Sequence, residues 1–178
     1  MDINFSKLKI TDIPLIHKWV NTEAVIKGYS YNPTTIEETE QEYIAKINKV
    51  DPVEAYLIEV DNVKIGYVQI HRMIDFPKYY TEIGGDDFTA GFDIFIGENE
   101  YLNKGYGTKI IYKVLEELIF SNPHITNCII LPTSSNSRAI KAYQKSGFTI
   151  KEKSRLDNQS DDKVIMKITE VEFNRLKY

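Results

Sequence analysis

A carboxyl group inside an apolar run, a phenol at helical spacing and two glycines ahead of a helix are the groups in this sequence that can do chemistry. The carboxyl belongs to Asp93, within Phe92-Asp93-Ile94-Phe95-Ile96. A carboxylate there can grip an ammonium group or take its proton, and burial in an apolar strand would raise its pKa toward a useful range. The phenol belongs to Tyr143, four residues after Ala139 and seven after Asn136. These three share one helix face, where the small Ala lets another molecule approach the backbone and the hydroxyl gives or takes a proton in a fixed place. The glycines are Gly105 and Gly107, within Asn103-Lys104-Gly105-Tyr106-Gly107-Thr108. A glycine-bearing loop that runs into a helix N-terminus suits an anion. Its amides point outward, the helix dipole favours negative charge, and the glycines admit a phosphate.

Particular elements must hold these groups. Residues 92–96 read as a short strand ended by Gly97. Ile110, Ile111, Val114, Leu115, Leu118 and Ile119 recur at helical spacing and predict an amphipathic helix over 108–120. Asn136 reads as the N-cap of a second helix, which Gly147 ends because a left-handed helix terminus is inexpensive for glycine. Upstream, a strand is expected at 5–10, then a helix opened by Thr11-Asp12-Ile13-Pro14 with Leu15, Ile16, Trp19 and Val20 as its apolar stripe. A loop at 28–33 and a helix at 35–48 follow, then a hairpin of 55–60 and 63–73 about Asp61-Asn62. Residues 74–89 read as irregular. A strand at 127–131, two final strands at 148–153 and 163–168, and a tail helix at 171–176 complete the chain. The order β-α-α-β-β-β-α-β-α-β-β predicts an α/β (α+β) fold.

At 178 residues and 42% hydrophobic content, the chain suffices for one domain with its own core, spanning 1–178. The longest apolar run is only Cys128 to Leu131, too short to span a membrane. The first residues lack the basic and apolar regions of a secretory signal. Cys128 is the only cysteine, which precludes an internal disulfide, suits the cytoplasm and reads as a buried small hydrophobe. His17, His71 and His124 show no ligand spacing, so no metal is expected. The net charge of −4 argues against nucleic acid and favours a cationic partner. Glu82, Asp86, Asp87 and Asp93 gather just before or within the strand that leads into the glycine loop. Exposed strand edges fit a monomer or a homodimer.

The pattern N-x-x-A-x-x-x-Y-x-x-x-G-F at 136–148, together with the strand, loop and helix start at 91–107, resembles the acetyl-CoA site of the GNAT superfamily of N-acetyltransferases. Gly66-Tyr67-Val68-Gln69-Ile70, Gly91 to Gly97, Lys104 to Thr108 and Arg138 to Phe148 are most similar, in type and spacing, to the aminoglycoside 6′-N-acetyltransferases. That resemblance implies a single GNAT-like domain, with a mixed, mostly antiparallel sheet splayed where acetyl-CoA enters. It also implies acetyl transfer from acetyl-CoA to a primary amine of a small cationic molecule, above all the 6′-amine of an aminoglycoside.

The resemblance, together with the chemistry of the residues themselves, gives each role as an expectation. Asp93 handles the proton of the amine and Tyr143 protonates the leaving sulfur. Backbone amides near Phe95 and Ile96 polarise the thioester carbonyl. Asn103, Lys104, Gly105, Tyr106, Gly107 and Thr108 hold the pyrophosphate, and Asn136 holds the pantetheine arm. Trp19, Tyr79 and Tyr80 would pack on sugar rings, while Glu82, Asp86 and Asp87 would meet ammonium groups. The chain departs from the family loop, Q/R-x-x-G-x-G/A, by placing Leu102 at the Q/R position, so Lys104 is the only cation in that loop. The same motifs are compatible with another acceptor (a protein N-terminus, a polyamine or a siderophore precursor) or with a coenzyme A-binding module that has no turnover.

Overall fold

Alternating apolar residues form the strands of this protein, and helical stripes of Ile, Val, Leu and Trp cover them. The computed structural model describes residues 1–29, 32–76, 82–154 and 162–176. Its contacts gather into two compact units, residues 1–70 with 93–104, and residues 71–92 with 105–178. Strands β3 and β4 pass through both. Among the described residues the sheet has the order β1-β2-β3-β4-β5-β7-β6. The fold is mixed α/β with a mostly antiparallel sheet, as the sequence predicts.

The first unit holds β1 (Ile3–Lys7), α1 (Ile13–Val20), α2 (Glu23–Tyr29), α3 (Ile36–Ile47), β2 (Val53–Val60) and most of β3 (Val63–Arg72). The end of β4 (Thr89–Ile96) joins them. β1 pairs antiparallel with β2 from Ile3↔Val60 to Lys7↔Tyr56. Asp61 and Asn62 both take positive φ, 50° and 66°, which is the backbone of a two-residue hairpin turn. Thr35 opens α3 with a reciprocal capping box: Glu38 N–H donates to Thr35 Oγ1 at 3.2 Å, and Thr35 N–H donates to Glu38 Oε2 at 2.8 Å. The core of this unit includes Leu8, Ile16, Trp19, Tyr43, Tyr67 and Phe95.

In the second unit are the start of β4, α4 (Tyr106–Val114) with a π-helical turn (Leu115–Ile119), β5 (Asn127–Ile130), α5 (Ser137–Lys145), β6 (Thr149–Ser154), β7 (Lys163–Thr169) and α6 (Glu170–Arg175). β4 and β5 run parallel through two register pairs, Thr89↔Asn127 and Ala90↔Cys128, although β4 is 8 residues long. β7 pairs antiparallel with β5 on one side and β6 on the other. Cys128 is fully buried in β5, and burial pushes its thiol pKa well up, so it is an inert packing residue.

Three expectations are corrected. The stretch 28–33 is not all loop, because α2 runs on to Tyr29 and buries Val25. The helix expected from 108 begins two residues earlier, directly after Gly105, and its last turn is π-helical. The first strand is shifted toward the chain start, because Ile10 begins a 3-10 turn that leads into α1.

Packing around Trp19 yields two predictions. A Cβ on Gly97 would lie 2.1 Å from Trp19 Cγ, and Trp19 is completely buried. Gly97→Ala is therefore expected to destabilise the fold by about 1–3 kcal/mol, measured by urea denaturation. Beside it, Glu98 Oε1 accepts from Lys18 Nζ at 2.7 Å and from Trp19 Nε1 at 2.8 Å. Those hydrogen bonds hold the Glu98 carboxyl below the usual range. A depressed folded-state pKa gives stability that is present above the unfolded value and lost as pH falls through the folded one. Acid titration of Trp19 fluorescence should show this loss below about pH 4, and Glu98→Gln should lessen it.

Candidate active site

Successive side chains on a strand point to opposite faces. Along β4 this sends Phe92 and Ile94 one way, Asp93 and Phe95 the other. Phe92 and Phe95 are buried and Asp93 is exposed. The expected burial of Asp93 is thus corrected: its strand is apolar on both faces, yet the carboxylate itself stands in solvent. Its Oδ2 accepts a hydrogen bond from Gln69 Nε2 at 2.8 Å.

Backbone direction alternates in the same way. Gly97 N–H donates to Ile65 C=O at 2.8 Å, so the ladder turns the amides of Phe95 and Asp93 toward β3 and those of Ile94 and Ile96 away from it. Of the two amides expected to polarise a carbonyl, that of Ile96 points away from β3 and that of Phe95 points toward it. The hydroxyl of Tyr29 donates to Ile94 C=O on that outward side.

The loop before α4 departs from ordinary backbone at two points. Asn103 has φ 60° and Gly105 has φ 82°, both in the left-handed region that favours glycine. Gly105 is the N-cap of α4, so no side chain caps the first turn, in contrast to Thr35 on α3 and Asn136 on α5. A Cβ added at Gly105 or Gly107 would meet no atom within 4 Å. Lys104 is exposed beside them, and Tyr106 and Thr108 are half-buried. Uncapped first-turn amides, an adjacent ammonium and open space over both glycines are what a pyrophosphate requires.

Helix α5 fixes Tyr143 through its termination. Phe148 N–H donates to Tyr143 C=O and Gly147 N–H donates to Gln144 C=O, both at 3.0 Å, with Gly147 at φ 96°. This is a Schellman ending, and its usual apolar contact is the Tyr143–Phe148 ring pair at 5.6 Å. Phe92 packs on the same tyrosine ring at 6.0 Å. At the other end, Asn136 Oδ1 accepts from Ala139 N–H at 3.1 Å, so this side chain caps the helix.

The residues expected to bind an acceptor fare differently. Trp19 is corrected: it is 0% exposed, packs edge-on against Phe95 and donates to Glu98, so it cannot stack on a sugar. Glu82, Asp86 and Asp87 are exposed. Asp86 Oδ1 accepts from Thr89 Oγ1 at 2.5 Å and from Phe88 N–H at 3.1 Å, bonds that tie down the start of β4. Tyr79 and Tyr80 lie outside the described residues. Gln69 and Tyr29 carried no expected role; Gln69 shares a strand face with Tyr67 two residues earlier, but its register against Asp93 is not visible in the sequence. Among the described residues, no group of three or more His, Cys, Asp or Glu side chains could hold a metal, and no helix is long and apolar enough to cross a membrane.

Residues 9–156 match the acetyltransferase (GNAT) domain family. The chain belongs to that family and is an acetyl-CoA-dependent N-acetyltransferase. It is 28% identical over 140 residues to the aminoglycoside N(6′)-acetyltransferase type 1 of Klebsiella pneumoniae, covering 77% of this chain and 69% of the relative. The structure of AAC(6′)-Ib in complex with ribostamycin and coenzyme A superposes with a TM-score of 0.90 at 23% identity, covering 100% of this chain and 99% of that one. The spermidine N-acetyltransferase of Vibrio cholerae in complex with coenzyme A and spermine gives a TM-score of 0.74 at 19% identity, with 97% and 98% covered. At these identities the structural likenesses establish the fold.

Gly107 separates binding from stability. Gly107→Ala is expected to leave the unfolding midpoint unchanged or raise stability by up to about 1 kcal/mol, since alanine favours a helix. A carboxylate in the open space above the first turn would oppose the pyrophosphate, so calorimetric titration of Gly107→Glu should show coenzyme A affinity reduced by about tenfold or more, whereas Gly107→Ala, which the family loop allows, should bind it unchanged.

Proposed function

We propose that this protein transfers the acetyl group of acetyl-CoA to the 6′-amine of an aminoglycoside, acting in the cytoplasm as one catalytic domain over residues 1–178. The observation that carries this reading is Asp93, an exposed carboxylate on β4, flanked along the strand by the outward amides of Ile94 and Ile96. The relative from Klebsiella pneumoniae supports the choice of acceptor.

Acetyl transfer to an amine has three requirements. An alkyl ammonium has a pKa of about 10 and no lone pair at neutral pH, so its proton must leave. The thioester carbonyl must be polarised where negative charge develops. The departing thiolate must gain a proton. In the proposal, Asp93 grips the ammonium and receives its proton, and the freed nitrogen attacks the carbonyl carbon. The amide of Ile96 hydrogen-bonds the developing oxyanion. The carbon–sulfur bond breaks, the Tyr143 hydroxyl donates its proton to sulfur, and the second proton of the attacking nitrogen passes to the phenolate, which leaves a neutral amide, a thiol and one proton on Asp93 to be released to water. Lys104 and the amides of the first α4 turn hold the pyrophosphate. Asn103 and Gly105 shape the loop before that turn, while Tyr106, Gly107 and Thr108 form the turn itself. Asn136 keeps α5 capped beside the pantetheine arm. Glu82 and Asp87 are the exposed acids left to meet further ammonium groups of the acceptor, and Asp86 holds the chain at the start of β4.

Thiol release from acetyl-CoA with a panel of amines tests the reading. Kanamycin-type sugars are expected to turn over while peptides do not, and turnover with spermidine alone would move the acceptor to the polyamines. Asp93→Asn should lower kcat by about 100-fold or more, within the range for a positioned proton acceptor, and leave coenzyme A affinity intact. An unchanged rate in that variant removes Asp93 from the reaction. Tyr143→Phe, which keeps the packed ring, should cost less.

A further inference from the structure

We infer that Gln69 is the positioning residue of Asp93, and that Gln69 is itself held by the buried phenol of Tyr67. This inference rests on the role proposed above for Asp93.

Three side chains form a continuous chain of hydrogen bonds. Tyr67 Oη donates to Gln69 Oε1 at 3.0 Å, and Gln69 Nε2 donates to Asp93 Oδ2 at 2.8 Å. Chemistry fixes the direction of each bond. An ionised carboxylate only accepts, so it must face the amide nitrogen, which leaves the amide oxygen toward the phenol and makes the phenol the donor. Strand geometry brings the three together: Tyr67 and Gln69 lie two residues apart on β3 and share a face, and Asp93 sits across from Gln69 on β4.

The anchored end is rigid and the working end is exposed. Tyr67 is only 2% exposed, with its ring stacked on Phe95 at 5.4 Å and edge-on to Tyr43 at 5.2 Å. Gln69 is half-buried and Asp93 is exposed. An aspartate on an open strand face would otherwise rotate among several rotamers. Here the chain of bonds fixes Oδ2 from the core outward and leaves Oδ1 to meet the substrate ammonium. A neutral amide suits this task better than a cation. A lysine or arginine at position 69 would hold the carboxylate equally well, but it would neutralise the charge that must attract the amine.

Gln69→Leu has similar bulk and removes both bonds. It is expected to lower kcat/KM for the amine by about tenfold, the scale of a hydrogen bond to a charged group, and to leave KM for acetyl-CoA unchanged. Tyr67→Phe keeps the ring in the core and removes only the phenol, so it should act in the same direction but more weakly. It carries the test if Gln69→Leu does not fold. The decisive measurement is each substitution repeated in the Asp93→Asn background. If Gln69 acts through Asp93, the second substitution has no further effect there. Equal losses in both backgrounds would overturn the inference and make Gln69 a structural residue only. Full activity of Gln69→Leu beside a crippled Asp93→Asn would overturn it while the acetyl-transfer reading stands. Full activity of Asp93→Asn would remove both.

Discussion

The placement of Asp93 and of the rings around it goes back to the two-residue alternation along β4. Phe92 goes to one face, where Tyr143 and Phe148 pack on it. Phe95 goes to the other, where Trp19, Tyr29 and Tyr67 surround it. Asp93 lies between them and is committed to the Phe95 face. Large rings on both sides hold this assignment, because a slip of one residue would drive two phenylalanines out of their cores and carry Asp93 into one of them. The same alternation sends the amides of Ile94 and Ile96 away from β3. One register thus sets both the face of the carboxylate and the outward direction of two strand amides.

Glycine does different work at different points along this path. Gly97 ends β4 where the Trp19 indole lies against the backbone, so its missing side chain serves packing. Gly105 takes a backbone angle that other residues avoid and starts α4 without a capping side chain. Gly147 allows α5 to end in a Schellman turn, and that turn brings Phe148 onto Tyr143. The spacing Y-x-x-x-G-F is thereby explained physically: the last two residues fix the ring of the first.

Much of this organisation was legible from the sequence. The span of α5, its Asn cap and its Gly ending follow from local chemistry, as do the Asp61-Asn62 hairpin and the glycine loop before α4. What escaped depends on distant partners. Asp93 reads as buried because its neighbours are apolar, yet Phe92 and Phe95 pack on opposite faces of the strand and neither covers the carboxylate between them. Trp19 belongs to the apolar stripe of α1, and that membership already conflicted with a role as a sugar platform; burial decided between them. Helix α2 was missed because Gly28 and the Asn32-Pro33 pair near it are turn formers, while the burial that stabilises it comes through Val25. The tie between Gln69 and Asp93 spans 24 residues. No local pattern reports it, because the segment between β3 and β4 leaves their register open.

An exposed carboxylate poses an energetic problem for a catalyst. A surface ion pair contributes only about 0–1 kcal/mol, partly because two mobile side chains must be held in one geometry. The acidic balance of this chain, −4 overall, brings cations near but does not orient them. Orientation requires that the carboxylate lose its freedom before the substrate arrives, and only a group tied to the core can impose that. The aromatic cluster of Tyr43, Tyr67 and Phe95 is such a core. Its packing immobilises one phenol, the phenol orients an amide, and the amide orients an acid at the surface. Hydrophobic packing, which has no directional preference of its own, becomes directional at the carboxylate proposed to receive the proton of an amine.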